Sequence, residues 1–131
     1  MKFLALIYND ERMYQDATPA DIAATFEAHG KFGAAAGEAG VFLGGDGLQP
    51  VATATTIRVR DDERMLTDGP YAETKEQLGG YYLLECKDLD DALNWAAQIP
   101  EAKTGAIEVR PIMEFNEDGT VKSGAEAGAS A

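Results

Sequence analysis

Apolar residues change their spacing several times along the chain, and each change marks an element. Residues 3–8 form an unbroken apolar run, which predicts a central strand covered on both faces. Thr18, Pro19 and Asp21 then supply an N-cap, a proline for the first helical position and an acidic third residue, so a helix begins there. Ile22, Phe26, His29, Gly33 and Ala36 recur at three-and-four spacing as one buried stripe, widened by Phe32, Ala35 and Ala39. Glycines at 30, 33 and 37 each weaken a helix by roughly 0.8–1 kcal/mol relative to alanine, which predicts a close neighbour such as the sheet beneath. Gly40 ends the helix, and Val41, Phe42 and Leu43 start a second strand that runs out at Gly44, Gly45 and Gly47.

Alternation of Ile57 and Val59 with Arg58 and Arg60, a turn at Asp61 and Asp62, and a returning arm over 64–67 predict a hairpin. Residues 81–86 form the next strand. Asp88, with Asp91 three residues on, caps a second helix that buries Leu89, Ala92, Leu93 and Ala96 and is closed by Pro100. Ile107, Val109, Met113 and Phe115 share one face of a last strand, in which Pro111 cannot donate to a ladder and so argues for a sheet edge or a bulge. The order β, α, β, hairpin, β, α, β predicts an α+β, ferredoxin-like split βαβ fold with two helices on one face of an antiparallel sheet. Residues 1–115 form the domain, and 116–131 are expected to be a flexible tail. The face without helices needs a lid, and a second copy of the chain in a closed homodimer supplies one.

Composition removes several classes of partner. A formal charge of −12, from 23 acidic and 11 basic residues, disfavours nucleic acid and anionic membrane surfaces. No apolar stretch is long enough to span a bilayer and the start lacks a signal peptide's pattern, so a cytoplasmic location is expected. The single cysteine, Cys86, sits in an apolar strand as a buried thiol, and no Cys and His cluster has metal-ligand spacing. Neither a metal nor another cofactor is expected. Gly44, Gly45 and Gly47 are not a phosphate loop, since no Lys-Ser or Lys-Thr follows and no helix starts there.

His29 is the lone histidine, and an imidazole oriented by a carboxylate is a candidate general base. Residues 68–80 turn sharply at Asp68, Gly69 and Pro70, then crowd Glu73, Lys75 and Glu76 into four positions, a candidate charged rim for substrate. Tyr8 and Arg110 are candidates to reach the same cleft.

The 68–80 segment, Asp-Gly-Pro-Tyr-Ala-Glu-Thr-Lys-Glu-Gln-Leu-Gly-Gly, resembles the Asp-Gly-Pro-Phe signature of the DGPF branch of the YCII-related domain family, with tyrosine at 71 where phenylalanine is usual. The likeness runs from residues 2–8 through 44–48 to 108–111. The resemblance implies a ferredoxin-like fold and a dimeric α/β barrel. About activity it implies little. A few YCII relatives are enzymes, including a dehydrochlorinase acting on chlorinated hydroxyquinols, whereas most DGPF proteins have no assigned reaction and their genes often neighbour alternative sigma factors. The shorter YCII branch is associated with a histidine and aspartate pair in the dimer cleft. His29 occupies a matching place, and both Asp46 and Asp68 qualify as its aspartate. The expectation is thus a small-molecule-binding domain, with acid–base chemistry on an aromatic or enolisable substrate or a regulatory role without catalysis.

Overall fold

The computed structural model describes residues 1–122 of the 131-residue chain. Strands β1 (Lys2–Asn9), β2 (Phe42–Gly47), β5 (Gln77–Glu85) and β6 (Ala106–Pro111) form one antiparallel sheet in the order β2-β5-β1-β6. Helix α1 (Pro19–Glu38) joins β1 to β2, and α2 (Leu89–Ala96) joins β5 to β6. With β1 and β5 central this is the ferredoxin-like α+β arrangement. Between its halves, β3 (Thr55–Arg60) and β4 (Glu63–Asp68) pair only with each other. Their two-residue turn places Asp61 and Asp62 at φ 51° and 63°, the left-handed pair that a tight hairpin requires.

Both helix starts follow from their caps. The Thr18 side chain accepts from the Asp21 N–H while the Asp21 carboxylate accepts from the Thr18 N–H, and the Asp88 side chain accepts from the Asp91 N–H. Gly40 terminates α1 at φ 74°, where Val41 N–H reaches back to the Ala36 carbonyl at 2.8 Å. The core lies between this sheet face and the helices. Phe3, Ala5, Ile7 and Leu84 pack against Phe32 and Ala36 of α1 and Ala92 and Ala96 of α2, with Ile99 and Cys86 closing the ends.

Several expectations change. β1 is buried on alternate residues only, and Leu4, Leu6 and Tyr8 are half-buried on the face that the helices do not cover. The stripe of α1 is core only in its second half, through Phe32 and Ala36. Ile22 and Phe26 are 62% and 82% exposed because the first turns overhang the sheet. Nothing approaches a Cβ built at Gly30, Gly33 or Gly37, so close packing does not account for these glycines. Leu93 faces solvent, and Trp95 takes its place against Phe32. β2 continues through Gly44, Gly45 and Gly47 instead of running out there. β6 stops at Pro111 on the sheet edge, where the missing N–H costs no ladder bond, and Met113 and Phe115 are exposed beyond it. Residues 116–120 turn back so that Phe115 bridges Val121, and the remainder of the expected tail, 123–131, lies outside the described residues.

Candidate functional site

The overhang of α1 opens a cavity of about 730 Å³ between the helix and the sheet. Its floor is built from backbone. Gly45 and Gly47 of β2 face Tyr82 and Gly80 of β5, and a Cβ at Gly80 would come within 2.9 Å of the Asp46 carbonyl. A Cβ at Gly45 would sit 2.5 Å from the Tyr82 ring. Gly79 is the extra residue of a bulge opposite the Ile7–Tyr8 step, and its carbonyl accepts from Leu48 N–H at 2.8 Å. Ile22 and Phe26 form the roof, while Met13, Tyr14, Leu48 and Pro50 form the sides.

A short 3-10 turn, Glu11–Tyr14, is tied down at the mouth. Glu11 N–H donates to Gln77 Oε1 at 2.9 Å, and Val51 N–H donates to Glu11 Oε1 at 2.9 Å. Buried Asn9 donates to the Tyr14 hydroxyl at 2.9 Å and to Thr104 Oγ1 at 3.0 Å.

The polar end of the cavity is a three-residue chain. His29 Nε2 lies 2.7 Å and 2.8 Å from the two oxygens of Glu101, and Nδ1 lies 2.7 Å from the Tyr82 hydroxyl. The ionised carboxylate only accepts, so Nε2 carries the proton. In the neutral ring Nδ1 is then an acceptor, and the Tyr82 O–H donates to it. Glu101 is 8% exposed, sits in the 3-10 turn Pro100–Ala102 after α2, and keeps Oε1 without a well-directed donor. Tyr82 packs between Phe32 and Phe42, with ring centroids 4.7 and 5.9 Å away, and its phenol is held above the ordinary tyrosine range by burial and then by the Glu101 charge. Tyr14 is raised for the same two reasons, opposed by the bond from Asn9.

The candidates from the sequence divide sharply. His29 lines the cavity, but neither candidate aspartate orients it: Asp46 borders the cavity while its carboxylate accepts from the Tyr81 hydroxyl at 2.8 Å, and Asp68 is exposed at the end of β4. Lys75 does not line the cavity but a second depression with Asp10, Arg12 and Thr74, which adjoins the cavity at Glu11 and Gln77. Glu73 and Glu76 are exposed and line neither. Only the far end of the 68–80 segment, Gln77 with Gly79 and Gly80, reaches the cavity wall. Tyr8 bonds Glu108 at 3.2 Å, and Arg110 stands opposite Leu4 on the helix-free face, so both are outside the His29 cavity.

Glu101, Tyr82 and Tyr14 were not among the sequence candidates. The one signal for Glu101 was an acidic residue set in the otherwise apolar Ile99-Pro100-Glu101-Ala102. Among the described residues no three His, Cys, Asp or Glu side chains are grouped to hold a metal ion, and no helix is long and apolar enough to cross a membrane.

The YCII-related domain model matches residues 1–116. The chain belongs to the YCII-related domain family. An uncharacterized protein of Rhizobium meliloti (strain 1021) is 48% identical to it over 67 residues, which are 50% of this chain and 54% of that protein. The chain thus spans about half the length of the curated relative it matches.

Proposed function

We propose that this YCII-related domain binds a small, largely apolar molecule in the cavity under α1 and moves a proton on it through the chain Tyr82–His29–Glu101. The observation that carries the reading is the Tyr82 hydroxyl bonded to His29 Nδ1 while His29 Nε2 is held by a buried carboxylate, all on the wall of one cavity. Because both imidazole nitrogens are engaged, the atom offered to substrate is the Tyr82 oxygen. As that oxygen takes a proton from an enolisable carbon, its own proton passes to Nδ1, leaving an enolate on the substrate and an imidazolium held by Glu101. Reversal returns the proton to the same or a neighbouring carbon, the net change of an isomerase or of the first half of an elimination.

Hydrogen–deuterium exchange at the α-carbon of enolisable aryl ketones in heavy water tests this step by NMR. Probes are chosen by thermal stabilisation of the folded protein. Tyr82→Phe keeps the ring packing and is expected to slow exchange by about 10²-fold or more. Equal exchange by wild type and Tyr82→Phe removes the relay.

A second reading, ligand recognition without turnover in a regulatory role, is favoured by that same saturation of the imidazole. Binding of a stabilising probe with no exchange at any position selects it.

The helix-free face presents Leu4, Leu6, Tyr8, Tyr81 and Leu83, all half-buried, and we propose that a second copy covers it. Sedimentation of a species of twice the chain mass at micromolar concentration is the expected result, and a monomer at that concentration excludes the homodimer.

A further inference from the structure

We infer that the Tyr14 hydroxyl donates a hydrogen bond to the carbonyl oxygen of the molecule bound under α1, so that the cavity prefers a ketone to a hydrocarbon of the same shape. This rests on the binding reading above and adds to it the group that meets the substrate's oxygen.

The direction of each hydrogen bond carries it. Asp10 N–H donates to Asn9 Oδ1 at 3.0 Å, which fixes the orientation of the Asn9 amide. The amide nitrogen therefore supplies both of its hydrogens, one to Thr104 Oγ1 at 3.0 Å and one to the Tyr14 oxygen at 2.9 Å. Tyr14 is the acceptor in that bond, and its own hydrogen is left to donate elsewhere. Four hydroxyl-bearing residues line the cavity, namely Tyr14, Thr25, Tyr81 and Tyr82. Thr25 donates to the Asp21 carbonyl, Tyr81 to the Asp46 carboxylate and Tyr82 to His29 Nδ1. Of the four, only the Tyr14 hydrogen has no acceptor among the described residues.

The Tyr14 oxygen is also held in place. Asn9 is buried on the helix-covered face of β1, and the turn that carries Tyr14 is tied to the sheet where Glu11 N–H meets Gln77. Burial raises the phenol above the ordinary tyrosine range against the bond from Asn9, and the Glu101 charge adds to the rise, so the group keeps its proton and acts as a donor. Tyr82 is raised by the same carboxylate, which sets both phenols around the cavity's inner end.

The two phenols thereby take opposite parts. The Tyr82 oxygen removes a proton from the carbon next to the carbonyl while its own proton passes to His29 Nδ1. The electron pair of the broken C–H bond becomes the C=C bond of an enolate, and the carbonyl π pair moves onto oxygen. Negative charge then sits on the atom that Tyr14 holds, and a donor fixed in advance stabilises it more than it stabilises the neutral ketone. Tyr14 keeps its proton throughout.

Acetophenone and 2-phenylpropene share one shape and differ in C=O against C=CH2, so competition binding to the full chain tests this. The ketone is expected to bind wild type about five- to tenfold tighter than the alkene, and Tyr14→Phe to bind the two equally. The same variant is expected to slow α-deuterium exchange of acetophenone by about 10²-fold or more, mainly in kcat, whereas a role confined to bracing the turn would weaken both compounds alike. Infrared spectra need no variant: the carbonyl band of isotope-labelled acetophenone is expected to move to lower frequency on binding wild type. A ketone preference that survives in Tyr14→Phe, or a carbonyl band that is not lowered in wild type, overturns the assignment while the cavity remains a binding site. If the preference is lost in the variant but wild type exchanges no proton, the relay falls and the Tyr14 assignment stands. If neither compound binds at about 1 mM, the assignment and the binding reading fall together.

Discussion

Glu101 and His29 stand 72 residues apart in the chain and meet through one Nε2 lying 2.7 and 2.8 Å from both carboxylate oxygens. The pair joins the end of α2 to the middle of α1 and holds the imidazole at the angle that lets Nδ1 reach Tyr82. Removing the carboxylate leaves a partly buried N–H without an acceptor. Glu101→Ala is therefore expected to lower stability by about 1–3 kcal/mol in urea unfolding with an unchanged slope, and Glu101→Gln, which keeps an acceptor oxygen, by less. An alanine variant as stable as the parent means the pair does not form in solution.

Glycines separate into two groups with opposite expectations. Gly30 lies inside α1 with nothing near a Cβ, so Gly30→Ala is expected to stabilise by about 0.5–1 kcal/mol through helix propensity alone. At Gly105, by contrast, a Cβ would collide with the Tyr8 carbonyl at the start of β6, and alanine is expected to destabilise or to shift the β1–β6 pairing. Paired melting curves check both. A destabilised Gly30→Ala would show that some partner crosses that helix face.

These contrasts mark how far the sequence was legible. Caps, the Asp61-Asp62 turn, the edge position of Pro111 and the element order were readable because each depends on residues within a few positions of one another. The stripe Ile22, Phe26, His29 was readable as one face of a helix. Periodicity cannot tell whether that face meets a sheet or an empty space, and the first turns of α1 meet the cavity. His29 was found as the lone histidine on that face, but its carboxylate was sought among aspartates near glycine turns. The carboxylate in contact with it comes from a turn after α2, a juxtaposition created only when both helices dock on one sheet. The conspicuous charges of 73–76 drew attention by density, and they lie exposed outside the cavity.

Cys86 gives a pH dependence whose sign is fixed. Burial, and then the nearby Asp91, push its thiol up to about 11 from an ordinary value near 9. Folding therefore favours the protonated form. Between roughly pH 9 and pH 11 the unfolded chain has already lost this proton while the folded one retains it, so the stabilisation is complete below that window and is lost as pH rises through it. Wild type is expected to lose stability over this range more steeply than Cys86→Ala, measured as unfolding midpoints at fixed ionic strength. Native Cys86 should also resist iodoacetamide at pH 8 until the protein is unfolded. Rapid labelling of the native protein at that pH contradicts the buried thiol.

Phe26 separates a ligand-facing role from a structural one. At 82% exposed on the roof of the cavity, its ring makes little of the core, so Phe26→Ser is expected to change stability by less than about 0.5 kcal/mol. A ligand that lies under the roof buries that ring, and losing it removes apolar contact worth about 1–2 kcal/mol, or roughly five- to thirtyfold in affinity. The loss should fall on every probe that stabilises the folded protein, charged or neutral, because the ring carries no charge. If Phe26→Ser unfolds at a much lower urea concentration, the first turns of α1 are packed against something in solution and the cavity beneath them is closed. If stability and affinity for every probe are both unchanged, ligands bind elsewhere, and the relay of Tyr82, His29 and Glu101 is a device that fastens two helices to a sheet.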